Sequence, residues 1–230
     1  MTEQLTIVLG CAAAALLVVL IRDVWIVARN VVTIAHEGGH ALVALLVGRR
    51  LSGIQLHSDT SGVTVSRGKT HGPGMVATAM AGYITPSLIG IGFAALLVNG
   101  KVTALLWTTI ALLAVMLIKI RNAYGVVSIV VTGLIVFAIL RFTSIPVQAG
   151  FAYFFTWFLL FAGIKPIWEL QAKRRRHRSP DSDADQLARL TRVPGLLWVG
   201  LFAIVAIAAL ALSASWLVPF GTLNRVFSGS

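Results

Sequence analysis

The chain has 230 residues, 57% of them hydrophobic and 12% charged, with a mean hydropathy of +0.88. A soluble domain carries about a quarter charged residues, so too little polar surface is available here, and the composition is that of an integral membrane protein. The net charge of +11 would suit nucleic acid, but in so apolar a chain it reads as the basic bias of cytoplasmic loops; no nucleic-acid partner is expected. The single Cys11 excludes a disulfide framework and a cysteine metal site within one chain.

Apolar runs of about 20 residues cross the hydrocarbon as helices. Seven candidates follow in order: 5–21, 24–47, 75–98, 102–118, 124–140, 147–168 and 195–219. The start, MTEQ, lacks a basic signal region, so the first run is expected to be a retained helix. Arg22-Asp23 suggests a tight connection to the second run; a six-span alternative makes the first run interfacial. The fold class expected is an all-α polytopic membrane protein of six to seven transmembrane helices, with a small β-hairpin near its site. The whole chain, 1–230, reads as one membrane-embedded domain. With seven spans, the loops at 48–74, 119–123 and 169–194 share the N-terminal side and hold thirteen Lys and Arg, against four opposite. That excess predicts a cytoplasmic N-terminus. The Lys173-Arg174-Arg175-Arg176-His177-Arg178 cluster then faces the cytoplasm and anionic lipid.

Two loops carry structure. In 48–74, Ile54, Leu56, Val63 and Val65 alternate around Asp59-Thr60-Ser61-Gly62, the pattern of a β-hairpin. In 169–194, Ser182 with Asp185 three residues on, then Leu187, Leu190 and Val193, predicts a capped amphipathic helix ended by Pro194. No internal repeat of the transporter kind is evident.

The second run contains His36-Glu37-Gly38-Gly39-His40. On a helix, i and i+4 share a face, so both imidazoles can hold one zinc ion while Glu37 acts as general base. Ionisable groups cost on the order of 3 kcal/mol each at membrane depth, which makes three of them together a functional signal. If the run ends near Val47, His40 and His36 lie about 10 and 16 Å from that end. Gly38 and Gly39 keep the helix slim for a neighbouring helix or a substrate backbone.

TIAHEGGHALVALLVG, the DTSGVTVS hairpin and AGYITPSLIG, with RNAYGV (121–126) and SDADQLARLTRVPGLLW (182–198), resemble the site-2-protease class of intramembrane zinc metallopeptidases. The resemblance is to the small bacterial B-type branch without a PDZ domain. It implies one zinc ion, a multi-pass protein of the bacterial plasma membrane, and cleavage of membrane-associated protein substrates. It further implies a hairpin that pairs with extended substrate by β-strand addition. The branch's relatives take a third zinc ligand from an Asn-Pro-Asp-Gly-type aspartate in a later helix, yet residues 60–168 contain no Asp or Glu. A catalytic zinc takes three protein ligands and a water. The candidates are His57, Asp59, His71, Glu169, Asp181, Asp183 and Asp185, with Asn122 a weaker one. Asp183 is favoured because SDA falls in a family-like stretch before the last span; a plain helix-dipole role competes for it. Tyr83 and Asn122 are candidates for positioning substrate or for packing and capping. The rival to an enzyme is a non-catalytic membrane scaffold or regulator on the same fold.

Overall fold

A computed structural model describes residues 2–176 and 182–218. Its elements are α1 (Thr2–Leu20), α2 (Arg22–Leu46), β1 (Arg50–Leu56), β2 (Gly62–Arg67), α3 (Pro73–Val98), α4 (Val102–Leu117), α5 (Ala123–Phe142), α6 (Ile145–Arg175), α7 (Asp183–Thr191) and α8 (Gly195–Leu217). The architecture is the expected all-α polytopic one, with a single two-stranded hairpin among the described residues. Helices prevail because lipid offers the backbone no hydrogen bonds, and a helix satisfies its own. Five of them, α1, α3, α5, α6 and α8, are long and apolar enough to cross a membrane. The helix α4 has only 16 residues, and α2 has 25 but includes Arg22, Asp23, Arg29 and Glu37. Gly48 (φ 76°) and Gly100 (φ 69°) take the left-handed turn that ends α2 and α3.

The tight connection expected at Arg22-Asp23 is a single residue, Ile21, whose extended backbone (φ −71°, ψ 115°) separates α1 from α2. Ile21 N donates to Leu17 O (2.8 Å) and Trp25 N to Ile21 O (2.9 Å), so Ile21 closes the last turn of α1 and opens the first of α2. No glycine or proline occurs from Ala12 to Glu37, so the break is made without either. Direction follows from contacts with α6. Cys11 Sγ donates to Gly150 O (3.3 Å), and Lys165 Nζ donates to Val19 O; both residue numbers rise together, so α1 and α6 run the same way. By contrast α3 and α6 are antiparallel, with Gly90 against Leu160 and Ser87 against Gly163. The start of α1 therefore lies at the end of the bundle away from the hairpin. The strict alternation used to place the N-terminus does not hold across the α1–α2 junction.

The hairpin forms as expected, but its two apolar pairs part company. Ile54 and Leu56 are buried, whereas Val63 and Val65 are each 49% exposed. The register pairs Ile54 with Thr64 and Leu56 with Gly62, so β2 turns Gly62, Thr64 and Ser66 inward and its valines outward. At the turn, Asp59 Oδ1 accepts from Ser61 N (2.9 Å) and Ser61 Oγ (2.6 Å), and these bonds hold the carboxyl below its usual range. Along the other edge of β1, Ile54 N donates to Lys119 O (2.8 Å) and Arg121 N to Ile54 O (2.9 Å). Asn122 continues this edge: its Nδ2 donates to Leu56 O (2.6 Å) and its Oδ1 accepts from Leu56 N (3.2 Å). The carboxamide thus replaces a peptide group of a third strand.

The amphipathic helix is α7. Ser182 Oγ accepts from Asp185 N (3.3 Å) and donates to Asp185 Oδ2 (2.6 Å), the expected cap. The helix stops at Thr191, where Arg192 is left-handed (φ 61°), before Pro194, which instead leads into α8. Ala184 and Leu187 pack with Ala79, Ile167, Leu170 and Phe202, which docks the first turn of α7 between α3, α6 and α8.

Candidate metal centre

One face of α2 presents Arg29, Thr33, His36 and His40, spaced 4, 3 and 4 residues apart as a helical stripe requires. Arg29, His36 and His40 of this stripe line a cavity of ≈ 420 Å³ walled by β2, the first half of α3, the end of α6 and the start of α7. Docking α7 there carries Asp183 to the histidines. His36 Nε2 and His40 Nε2 are 3.1 Å apart, and Asp183 Oδ2 lies 3.2 Å from the first and 3.3 Å from the second. Burial works to raise the Asp183 carboxyl, but His40 and His36 hold it well below the usual carboxylate range.

These distances test whether the residues fit a zinc ion. A tetrahedral zinc with ligands at about 2.0–2.1 Å has ligand-to-ligand edges of about 3.3–3.4 Å. The observed triangle of 3.1, 3.2 and 3.3 Å matches that face, with the fourth position left to the cavity. His40 Nδ1 contacts Thr78 O at 2.7 Å. A carbonyl only accepts, so Nδ1 carries the proton and Nε2 keeps its lone pair for a metal. The ring of His36 meets the edge of Tyr83 (4.8 Å), which stacks on Phe202 (5.1 Å). Gly82 makes the room: a Cβ there would lie 2.5 Å from His36 Nε2 and no farther from His40 Nε2.

Glu37, one residue along, is 4% exposed. Thr64 Oγ1 donates to Glu37 Oε2 at 2.6 Å and stands 3.1 Å from the Glu37 carbonyl. A Cβ on Gly62 would strike the Glu37 side chain at 2.5 Å, so β2 can press this close only because position 62 is glycine. Thr33 Oγ1 donates to Thr60 O (2.8 Å) and pins the turn to the same helix.

Of the third-ligand candidates among the described residues, Asp183 is the one that reaches the histidines, and His36, His40 and Asp183 form the single metal-sized group there. Asp185 is occupied by Arg174 (2.7 Å) and Ser182. Glu169 accepts from Trp25 Nε1 (2.8 Å) and pairs with Arg29 (3.5 Å). His57 and Asp59 engage Ser61 in the exposed turn, and His71 is exposed in the loop before α3. Asn122 serves the hairpin. Asp181, His177 and Arg178 lie outside the described residues, as does Arg225. The two helix glycines differ in use. Gly39 packs against Thr85 and Ala81 of α3, while Gly38 meets only Met116 Sδ at an ordinary 3.6 Å. Sequence reasoning missed Thr64, Thr78, Gly62 and Gly82, since each matters through a contact between elements that no spacing encodes.

No curated protein and no solved structure matches the chain. The model of one family does, under the description Peptidase M50B-like, across residues 9–213. That span runs from the middle of α1 to near the end of α8 and takes in every group around the triangle, so the chain belongs to the M50B-like peptidase family.

Proposed function

We propose that this protein is an intramembrane zinc metallopeptidase that hydrolyses peptide bonds of membrane-associated proteins. The observation that carries the reading is the zinc-sized triangle of His36, His40 and Asp183 with the Glu37 carboxylate beside it. Zinc held there supplies Lewis acidity to a water and to the scissile carbonyl. Glu37 takes the proton of the attacking water and passes it to the leaving amine nitrogen. Thr64 holds Oε2 of that carboxylate, which fixes its orientation for both transfers. Thr78 keeps His40 in the metal-binding tautomer.

The hairpin supports strand addition as the mode of substrate binding. Ile54 and Leu56 spend their main-chain groups on residues 119–122. In an antiparallel ladder their partners Thr64 and Gly62 then turn N–H and C=O away from β1, toward the open edge of β2. An extended substrate bonded there lies along the cavity wall with its amides unwound from a helix. The hairpin face is assigned to the cytoplasm of a bacterial plasma membrane, because Arg49, Arg50, Arg67, Lys69, Lys119, Arg121 and Lys173 cluster at that end.

Purified protein tests the reading. Wild type binds one zinc per chain and cleaves membrane-protein substrates in detergent micelles. Glu37→Gln keeps the zinc and loses cleavage, whereas Asp183→Ala loses zinc. Cleavage retained by Glu37→Gln, or full zinc retained by Asp183→Ala, overturns it in favour of a non-catalytic scaffold.

A further inference from the structure

Arg29 is a charged side chain on an apolar helix that the chemistry above does not use. It lies seven residues before His36, on the same helical face and about 10.5 Å along the axis, and it lines the same cavity. Its one ion pair among the described residues is with Glu169, at 3.5 Å. That is longer than a charge-assisted hydrogen bond, and no side-chain hydrogen bond runs from Arg29 among the described residues. Glu169 instead bonds Trp25 through Oε1, and its Oε2 is fully buried without a hydrogen-bond partner. Both side chains of the pair line the cavity and are about equally exposed (27% and 28%), but the oxygen of Glu169 nearest the guanidinium is buried. Lys173, one turn beyond Glu169 on α6, lines the cavity as a second cation.

We infer that Arg29, paired loosely with Glu169 beside it, is a specificity-determining residue that receives a carboxylate of the substrate. This rests on the peptidase reading and adds to it the charge of the group selected. An extended chain advances about 3.3 Å per residue, so the 10.5 Å offset puts the recognised group about three residues from the scissile bond. The carboxylate belongs to an Asp or Glu side chain or to a substrate C-terminus at that place. A planar fork suits either source.

Binding can be read without turnover, in full-length Glu37→Gln protein loaded with zinc. The probes are fluorescent extended peptides that differ only in Glu or Gln at a scanned position, each with a free or an amidated C-terminus. The expected result is a preference of about tenfold for a carboxylate-bearing peptide at one position, weakening with salt. Loss for the Gln form assigns a side chain, and loss on amidation assigns a C-terminus. Arg29→Gln removes the preference, and the exchange Arg29→Glu with Glu169→Arg, which keeps the pair, turns it toward Lys. Equal binding of all peptides, or a preference unchanged in both variants, overturns the inference. Because Glu37→Gln protein is inactive by design, that failure is separate from a failure of the peptidase reading, which wild-type cleavage decides.

Discussion

Replacing Gly82 by alanine sets two effects of opposite sign against each other. In the interior of α3 the change alone favours folding by up to about 1 kcal/mol, because alanine is the better helix former. The new methyl, however, lies 2.5 Å from His36 Nε2 and equally close to His40, where carbon normally keeps about 3.5 Å. Relief requires about 1 Å of movement. The helices cannot part cheaply, since Gly39 already packs against the Ala81 carbonyl at an added-Cβ distance of 3.0 Å, so the imidazoles must give way. A metal–nitrogen bond of about 2.1 Å stretched by that much is no bond. The apo protein loses about 1–3 kcal/mol to overpacking, offset in part by propensity, while zinc binding weakens by more than the roughly 100-fold cost of an outer-shell change. Competition with a chromophoric chelator measures the affinity in micelles. Gly92→Ala on the same helix is the control, since its methyl would meet nothing within 4 Å; it keeps zinc affinity and gains stability. Gly82→Ala binding one zinc with wild-type affinity would refute the geometry.

Two further perturbations address how the site is held. Asn122→Ala deletes both bonds to the Leu56 main chain, at about 1–3 kcal/mol for the pair. The hairpin should become a site of limited proteolysis while zinc content stays unchanged, and hairpin resistance equal to wild type would contradict the strand-edge role. Asp185 is depressed in the folded protein: burial works against it, but Arg174 and Ser182 hold it down. Its contribution is therefore complete above the unfolded value of about 3.9 and is lost as the pH falls through the folded one. Unfolding midpoints should drop less between neutral and acid pH in Asp185→Asn than in wild type, and identical profiles would remove Asp185 from the docking of α7.

Local rules reached far in this chain. HExxH at helical spacing singled out three residues that line the cavity, and the Ser182–Asp185 cap and the Asp59 turn were read correctly because each is written within a few residues. The tight connection read at Arg22-Asp23 lies one residue earlier, at Ile21. The charges do not tell whether the chain reverses there, and the contacts of α1 with α6 show that it keeps its direction. Val63 and Val65 were read with Ile54 and Leu56 as one apolar pattern, but strand register sets which face each residue takes.

The sequence by itself determined a membrane-spanning helical protein with two imidazoles and a carboxylate on one helix, since hydrophobicity and period are local properties. It left the third acidic ligand open among residues more than 100 positions apart. Tertiary structure decides which of them stands at the histidines. Burial of Ala184 and Leu187 against α3, α6 and α8 docks α7 so that Asp183 meets the histidines and Asp185 turns to Arg174. Neighbouring carboxylates on one short helix differ in role because packing, which depends on distant residues, sets which way each one faces.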